Sequence, residues 1–174
     1  MYRPGWTVNS VPFKTLNGAL KDGLKTFIPE GNYNEIELYF GNIDIRHHIV
    51  RLDVDIKELA DRYIEQAKEL DAKIYELLPI ENESRKLPQS GYYKGKPFWG
   101  TWQERNDARN AFNDYIDSKY GIIRWTDKLL NAQGELDFDC MEKPKSIHLS
   151  REHYPYWNGV EPDAMSQSLE SFFG

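Results

Sequence analysis

Asn34 to His48, NEIELYFGNIDIRHH, is the stretch whose reading decides the fold. Ile36, Leu38 and Phe40 alternate with Glu35, Glu37 and Tyr39, the two-residue period of a strand that buries one face. The spacing predicts a strand over 35–40. Gly41 follows and permits a sharp turn at the strand's C-terminal end. In an open α/β sheet, ligands bind outside that edge. The turn therefore delivers a carboxylate (Asp44), a guanidinium (Arg46) and two imidazoles (His47 and His48) to the place where chemistry is expected. If the segment stays extended, His47 and His48 alternate and only one of them points into a site.

Downstream, Asp55 and Glu58 have the spacing of a capping box. Ile56, Leu59, Ala60, Tyr63, Ile64, Ala67 and Leu70 fall on one helical face, with charged residues opposite. Residues 73–78 then read as a strand ended by Pro79. A strand, a helix and a strand at this separation predict a parallel βαβ unit. Thr101 and Glu104 form a second capping box, opening a helix whose inner stripe is Ala108, Phe112, Tyr115 and Ile116, with Gly121 after its end. Residues 122–126 read as a further strand, 131–144 as a polar loop, and 146–150 as a lead into REHYPYW. Upstream, Phe13, Leu16, Leu20, Leu24 and Phe27 recur at helical spacing, interrupted by Gly18 and Gly23. The long loop 81–101 places Tyr92, Tyr93, Phe98 and Trp99 among glycines and lysines. Those aromatics stack on sugar rings, form a lid, or cover the core beneath them.

The 174 residues suffice for one domain with its own core, over 1–154, followed by a C-terminal tail over 155–174. Charged residues at 29% and apolar residues at 40% describe a soluble globular chain. A net charge of −6 argues against nucleic acid as a partner. No run reaches the roughly 20 apolar residues of a membrane helix, and the N-terminus lacks the apolar core of a signal peptide. The compartment stays open. The single cysteine, Cys140, excludes an internal disulfide. No carboxylate stands at ligand spacing from the histidine pair, so neither a metal nor another cofactor is expected.

The order of these blocks resembles the SGNH/GDSL hydrolase superfamily over roughly residues 33–154. The likeness lies in strand–FGNIDIRHH, helix, strand–Pro, long loop, helix containing RNAFN, strand–Asp, GELD and SIHLS. It implies a flavodoxin-like three-layer α/β/α sandwich with a mostly parallel sheet, and a chemistry of ester hydrolysis on lipids, acylated sugars and similar substrates. Gly41-Asn42-Ile43-Asp44 resembles the family's Gly-x-Asn-Asp block with the asparagine one place early, so the resemblance gives Gly41 and Asn42 an oxyanion role and Asp44 a place at the site. Ser146-Ile147-His148-Leu149 resembles the Asp-x-x-His block and makes His148 the general base. Two elements depart from the pattern. No Gly-Asp-Ser motif occurs in the chain, Ser10 being a weak substitute, and the family acid is Lys145 here; Glu142 or Asp139 would have to orient the imidazole. A serine hydrolase needs nucleophile, base and acid together. The fold is therefore expected without its first strand, or with another segment in that slot.

Three functions follow as expectations. One is a binding module that keeps the cleft for a glycan or an acylated small molecule, with Arg46, His47, Tyr92, Tyr93 and Trp99 contacting it. Another is a structural or assembly protein, for example of a virion, whose aromatics join subunits or copies of the chain. The alternative is an esterase or deacetylase whose serine lies upstream of or outside this chain. Arg46 either grips an anionic group or pairs with Asp44 or Asp53, the pairing being favoured.

Overall fold

A computed structural model describes residues 15–28, 30–31, 33–85, 87, 94–96, 99–143 and 148–154. The expectations for Ser10, Tyr92, Tyr93, Phe98, Lys145 and the C-terminal tail lie outside these residues. The chain divides into two compact units, Asn9–Glu83 with Phe98–Leu136, and Met1–Val8 with Ser84–Pro97 and Asp137–Gly174.

The first of these carries the α/β core. Strand β1 (Ile36–Leu38) pairs in parallel with β2 (Ala72–Ile74), in the register Ile36 to Ala72, Glu37 to Lys73 and Leu38 to Ile74. Between them run α2 (Asn42–His47), α3 (Ile49–Leu52) and α4 (Ile56–Glu69). The expected parallel βαβ unit is therefore present. Beyond α5 (Trp102–Lys119) the chain returns to the other edge of β2, where Tyr75 bridges Ile123 in parallel. Ile123 N–H donates to Ile74 O (2.8 Å) and Glu76 N–H to Ile123 O (3.1 Å). All three positions of this small sheet run the same way. The ladders are shorter than the alternation predicts. Gly41 and Pro79 end the extended segments, and just before Pro79 the N–H groups of Leu77 and Leu78 donate to the side chains of Asn113 and Asn42 instead of to a strand.

Local signals account for the long helices. Asp55 accepts from the N–H groups of Lys57 and Glu58, opening α4. Its Leu59, Ala60, Tyr63, Ile64 and Ala67 are buried, as the periodic stripe requires. Thr101 and Glu104 cap each other reciprocally at the start of α5. Tyr63 stacks on Phe112 across the α4–α5 contact, with ring centroids 6.4 Å apart. Leu16, Ile45, Ile74, Leu77, Ile80 and Ile116 complete the core, each at 1% exposure or less, and each such side chain contributes roughly 1.5–3 kcal/mol by leaving water.

Three expectations are corrected here. The predicted N-terminal helix is α1 (Leu16–Asp22) and stops at Gly23, whose φ of 86° breaks it; a 3₁₀ turn, Leu24–Phe27, follows. The segment after Gly41 is helical, not extended. Gly41 itself adopts the left-handed region (φ 113°) as the N-cap of α2 and swings the chain into a helix; Ile45 and Ile49 then face the core at helical spacing. The supposed polar loop contains a tight hairpin in which Leu130 bridges Leu136 antiparallel and Asn131 Oδ1 accepts from the N–H of Gln133 and of Glu135.

In the second unit, Met141 bridges Leu149 antiparallel. Glu142 N–H donates to His148 O (3.0 Å) and Ser150 N–H to Cys140 O (2.9 Å). Cys140, Met141 and Leu149 are buried. Among the described residues no helix is long and apolar enough to cross a membrane.

Candidate functional site

Parallel strands leave their C-terminal ends on one rim, and that rim in the first unit is lined by buried charge. Asp44, Arg46 and His47 come from α2; Glu76 and Glu81 come from the segment after β2; Arg105, Arg109 and Asn113 come from α5; Thr126 closes the far side. Gly41 makes the arrangement possible. A Cβ there would stand 3.2 Å from Leu77 Cδ2 in a backbone conformation side chains rarely adopt.

Each rim group has a partner. Asp44 accepts from Leu16 N–H (2.6 Å) and Asn17 N–H (3.4 Å), the first two amides of α1. It is 3% exposed. Burial pushes its pKa up to about 6, against the opposing pull of those amides. Asn42 Oδ1 accepts from Leu78 N–H (3.0 Å). Arg46 pairs with Glu81 at 2.8 Å and also donates to Asn42 O and Pro79 O. The pairing expected with Asp44 or Asp53 is thus corrected: Asp44 turns toward α1, and the counter-ion of Arg46 lies 35 residues along the chain. His47 is buried beside the half-buried His48, ring centroids 6.4 Å apart. Burial, and then the charge of Arg51, lowers the pKa of His48.

A second knot holds the other end. Glu76 Oε1 accepts from the N–H of Trp125 and of Thr126, both at 2.7 Å. Arg109 and Arg124 approach its other oxygen at 3.6 and 3.4 Å. Burial alone would raise the pKa of Glu76, but the Trp125 and Thr126 amides, the Thr126 hydroxyl and Arg109 outweigh it and hold the carboxyl below its usual range. Arg109 also donates to Leu77 O (2.9 Å) and Thr126 Oγ1 (2.8 Å), and Asn113 Oδ1 accepts from Leu77 N–H (3.0 Å). Arg105, fully buried, donates to Gly100 O (2.5 Å) and Trp99 O (3.5 Å) and pairs with Glu83 at 3.1 Å. Trp99 itself is 56% exposed.

The fold thus brings Gly41, Asn42, Asp44, Arg46, His47 and Trp99 into one unit. His148 belongs to the other unit, where it is exposed. Tyr92 and Tyr93 lie outside the described residues. Among the described residues no three His, Cys, Asp or Glu side chains gather as metal ligands. The reading from sequence missed Arg105, Arg109 and Asn113. Their signal was present: three polar residues four apart, on the helix face that also carries Ala108, Phe112 and Ile116.

Solved structures show a likeness in fold. One, a protein from Streptococcus pneumonia described provisionally as a platelet activating factor, is 18% identical over 92% of this chain and 69% of its own, with a TM-score of 0.53. The likeness is one of fold alone. The C-terminal domain of Drosophila Oskar is 19% identical over 72% of this chain and 53% of its own, with a TM-score of 0.46. No family model and no curated protein matches the chain.

Proposed function

We propose that the chain is an SGNH-hydrolase-like α/β domain that binds at the strand rim without cleaving what it binds. The observation that carries this reading is the use to which the rim's polar groups are put. Asp44 holds the amides of α1, Asn42 holds Leu78 N–H, and Arg46 is held by Glu81. A carboxylate that is 3% exposed and engaged by two amides is poorly placed to polarise a substrate. The 174 residues also contain no Gly-Asp-Ser motif to supply the nucleophile. The ligand class expected from the sequence, a glycan or an acylated small molecule, belongs to this reading, as does the three-layer form of the sandwich.

The test is hydrolysis of p-nitrophenyl acetate together with labelling by a fluorophosphonate. This chain is expected to show neither above buffer. Turnover that disappears in His148→Ala would overturn the proposal. One observation favours the alternative, an esterase completed by a serine from elsewhere: Asp44 holds a proton up to about pH 6, as acid–base groups in catalytic sites often do. Restored turnover on adding a Gly-Asp-Ser segment in trans would establish it.

A further inference from the structure

We propose that Trp99 is the stacking platform of a site for an uncharged or amino-bearing sugar ring, with Glu83 and Glu104 as acceptors for its hydroxyl or ammonium groups. The inference rests on the reading that this domain binds without cleaving.

An indole that is 56% exposed is unusual on a folded surface. More telling is how its backbone is held. Trp99 N–H donates to Arg46 O (3.4 Å), and Arg105 reaches both Trp99 O and Gly100 O. Gly100 sits at φ 77°, where a Cβ would meet Val50 Cγ1 at 2.8 Å, so only glycine allows the chain to press this close to α3. Thr101 is then fixed in the capping box of α5. Three consecutive residues are locked from below while the indole faces water. A preorganised aromatic loses little conformational freedom on binding, which is what an aromatic recognition platform requires.

The surroundings select the ligand. Glu83, 62% exposed, is oriented by Arg105, whose guanidinium also touches Trp99 O. Glu104 is held by the Thr101 amide (2.8 Å) and hydroxyl (2.9 Å), and its Oε2 would lie 3.1 Å from a Cβ on Gly100. Two carboxylates and one guanidinium thus stand about the backbone that carries the indole: Arg105 on the carbonyls of Trp99 and Gly100, Glu83 on Arg105, and Glu104 against Gly100. The core of a protein–protein interface is depleted of charged residues. A sugar presents an apolar C–H face to the ring and hydroxyl donors to carboxylates at its edge. An acidic sugar would meet like charge and be disfavoured.

The experiment is an NMR titration of the ¹⁵N-labelled full chain, following indole N–H resonances with Trp99 assigned through Trp99→Phe. The probes are chitotetraose, cellotetraose, a chitosan oligomer and a galacturonate oligomer. At least one of the first three is expected to shift the Trp99 resonance saturably. Trp99→Ala, whose Tm should equal that of the parent because the side chain is exposed, should weaken binding about tenfold, or about 1.4 kcal/mol. Glu83→Gln and Glu104→Gln should each weaken the chitosan oligomer by a few fold. Four outcomes would overturn the proposal: no shift with any of the first three probes, binding that survives Trp99→Ala, equal binding of the galacturonate oligomer, or a Trp99 resonance that broadens with protein concentration alone, which marks a protein interface. Absence of binding with absence of esterase activity removes the platform and leaves the non-cleaving reading standing. Binding accompanied by His148-dependent turnover does the reverse.

Discussion

Replacing Asp44 by asparagine should stabilise the protein at neutral pH and not in acid. The folded-state pKa of about 6 lies roughly two units above the ordinary 3.8. At about 1.36 kcal/mol per unit, the difference is about 3 kcal/mol. The raised value means that the native state binds this proton more tightly than the unfolded state. The contribution of the protonated group is therefore fully present below pH 3.8, is lost as pH rises toward 6, and is gone above it. In Asp44→Asn the amide oxygen can keep the 2.6 Å contact with Leu16 N–H. The amide nitrogen cannot accept from Asn17, a loss of about 1 kcal/mol. The variant should then be more stable than the parent by about 2 kcal/mol at pH 8 and less stable by about 1 at pH 3.5. Urea denaturation of both proteins at half-unit steps, followed by tryptophan fluorescence, gives the difference directly, and the other titrating groups cancel in it. A stability difference that stays constant across the range, or that grows in favour of the parent with rising pH, would refute the burial argument.

Other perturbations bear on the same rim. Arg46→Met should cost about 3–5 kcal/mol, because it strands the fully buried Glu81; adding Glu81→Leu should restore most of it in the same denaturation assay. Gly41→Ala should cost about 1–3 kcal/mol, through its left-handed φ and the Leu77 contact. Gly134→Ala, also left-handed but facing open space, should stay near 1 kcal/mol. Arg105→Met should release the Trp99–Gly100 carbonyls, which ¹⁵N relaxation would detect as an order parameter at Trp99 falling from about 0.85 toward 0.6.

What could be read from the chain was what is local. The caps Asp55 and Thr101, the stripe on α4 and the stop at Gly41 each act within a few residues, and each stands where the pattern put it. The turn of Asn42–His47 into a helix was half legible: Ile45 and Ile49 are four apart, but the polar residues around them fit an extended segment as well. The partner of Arg46 was not legible at all. Asp44 and Asp53 are near in sequence, whereas Glu81 meets Arg46 only because parallel strands bring their C-terminal ends together. Shorter ladders than predicted have the same origin, since side chains such as Glu76 and Asn113 take the backbone groups that strand pairing would have used.

Buried ion pairs seldom stabilise a fold more than apolar side chains of the same size would. The buried pairs Arg46–Glu81 and Arg109–Glu76, and the buried Arg105 with its exposed partner Glu83, therefore raise the question of what else they secure. They secure geometry. Apolar side chains would fill the same space but would not fix carbonyls in direction. Arg46 ties the segment after β2 to α2, and its own carbonyl receives Trp99 N–H. Arg105 ties Glu83 to the carbonyls of Trp99 and Gly100. Arg109 fastens Leu77 O to Thr126. Two of the three pairs thus converge on the backbone beneath the exposed indole, and the third braces the segment they start from. The ion pairs of this rim thus hold in place the backbone that presents an aromatic side chain to solvent.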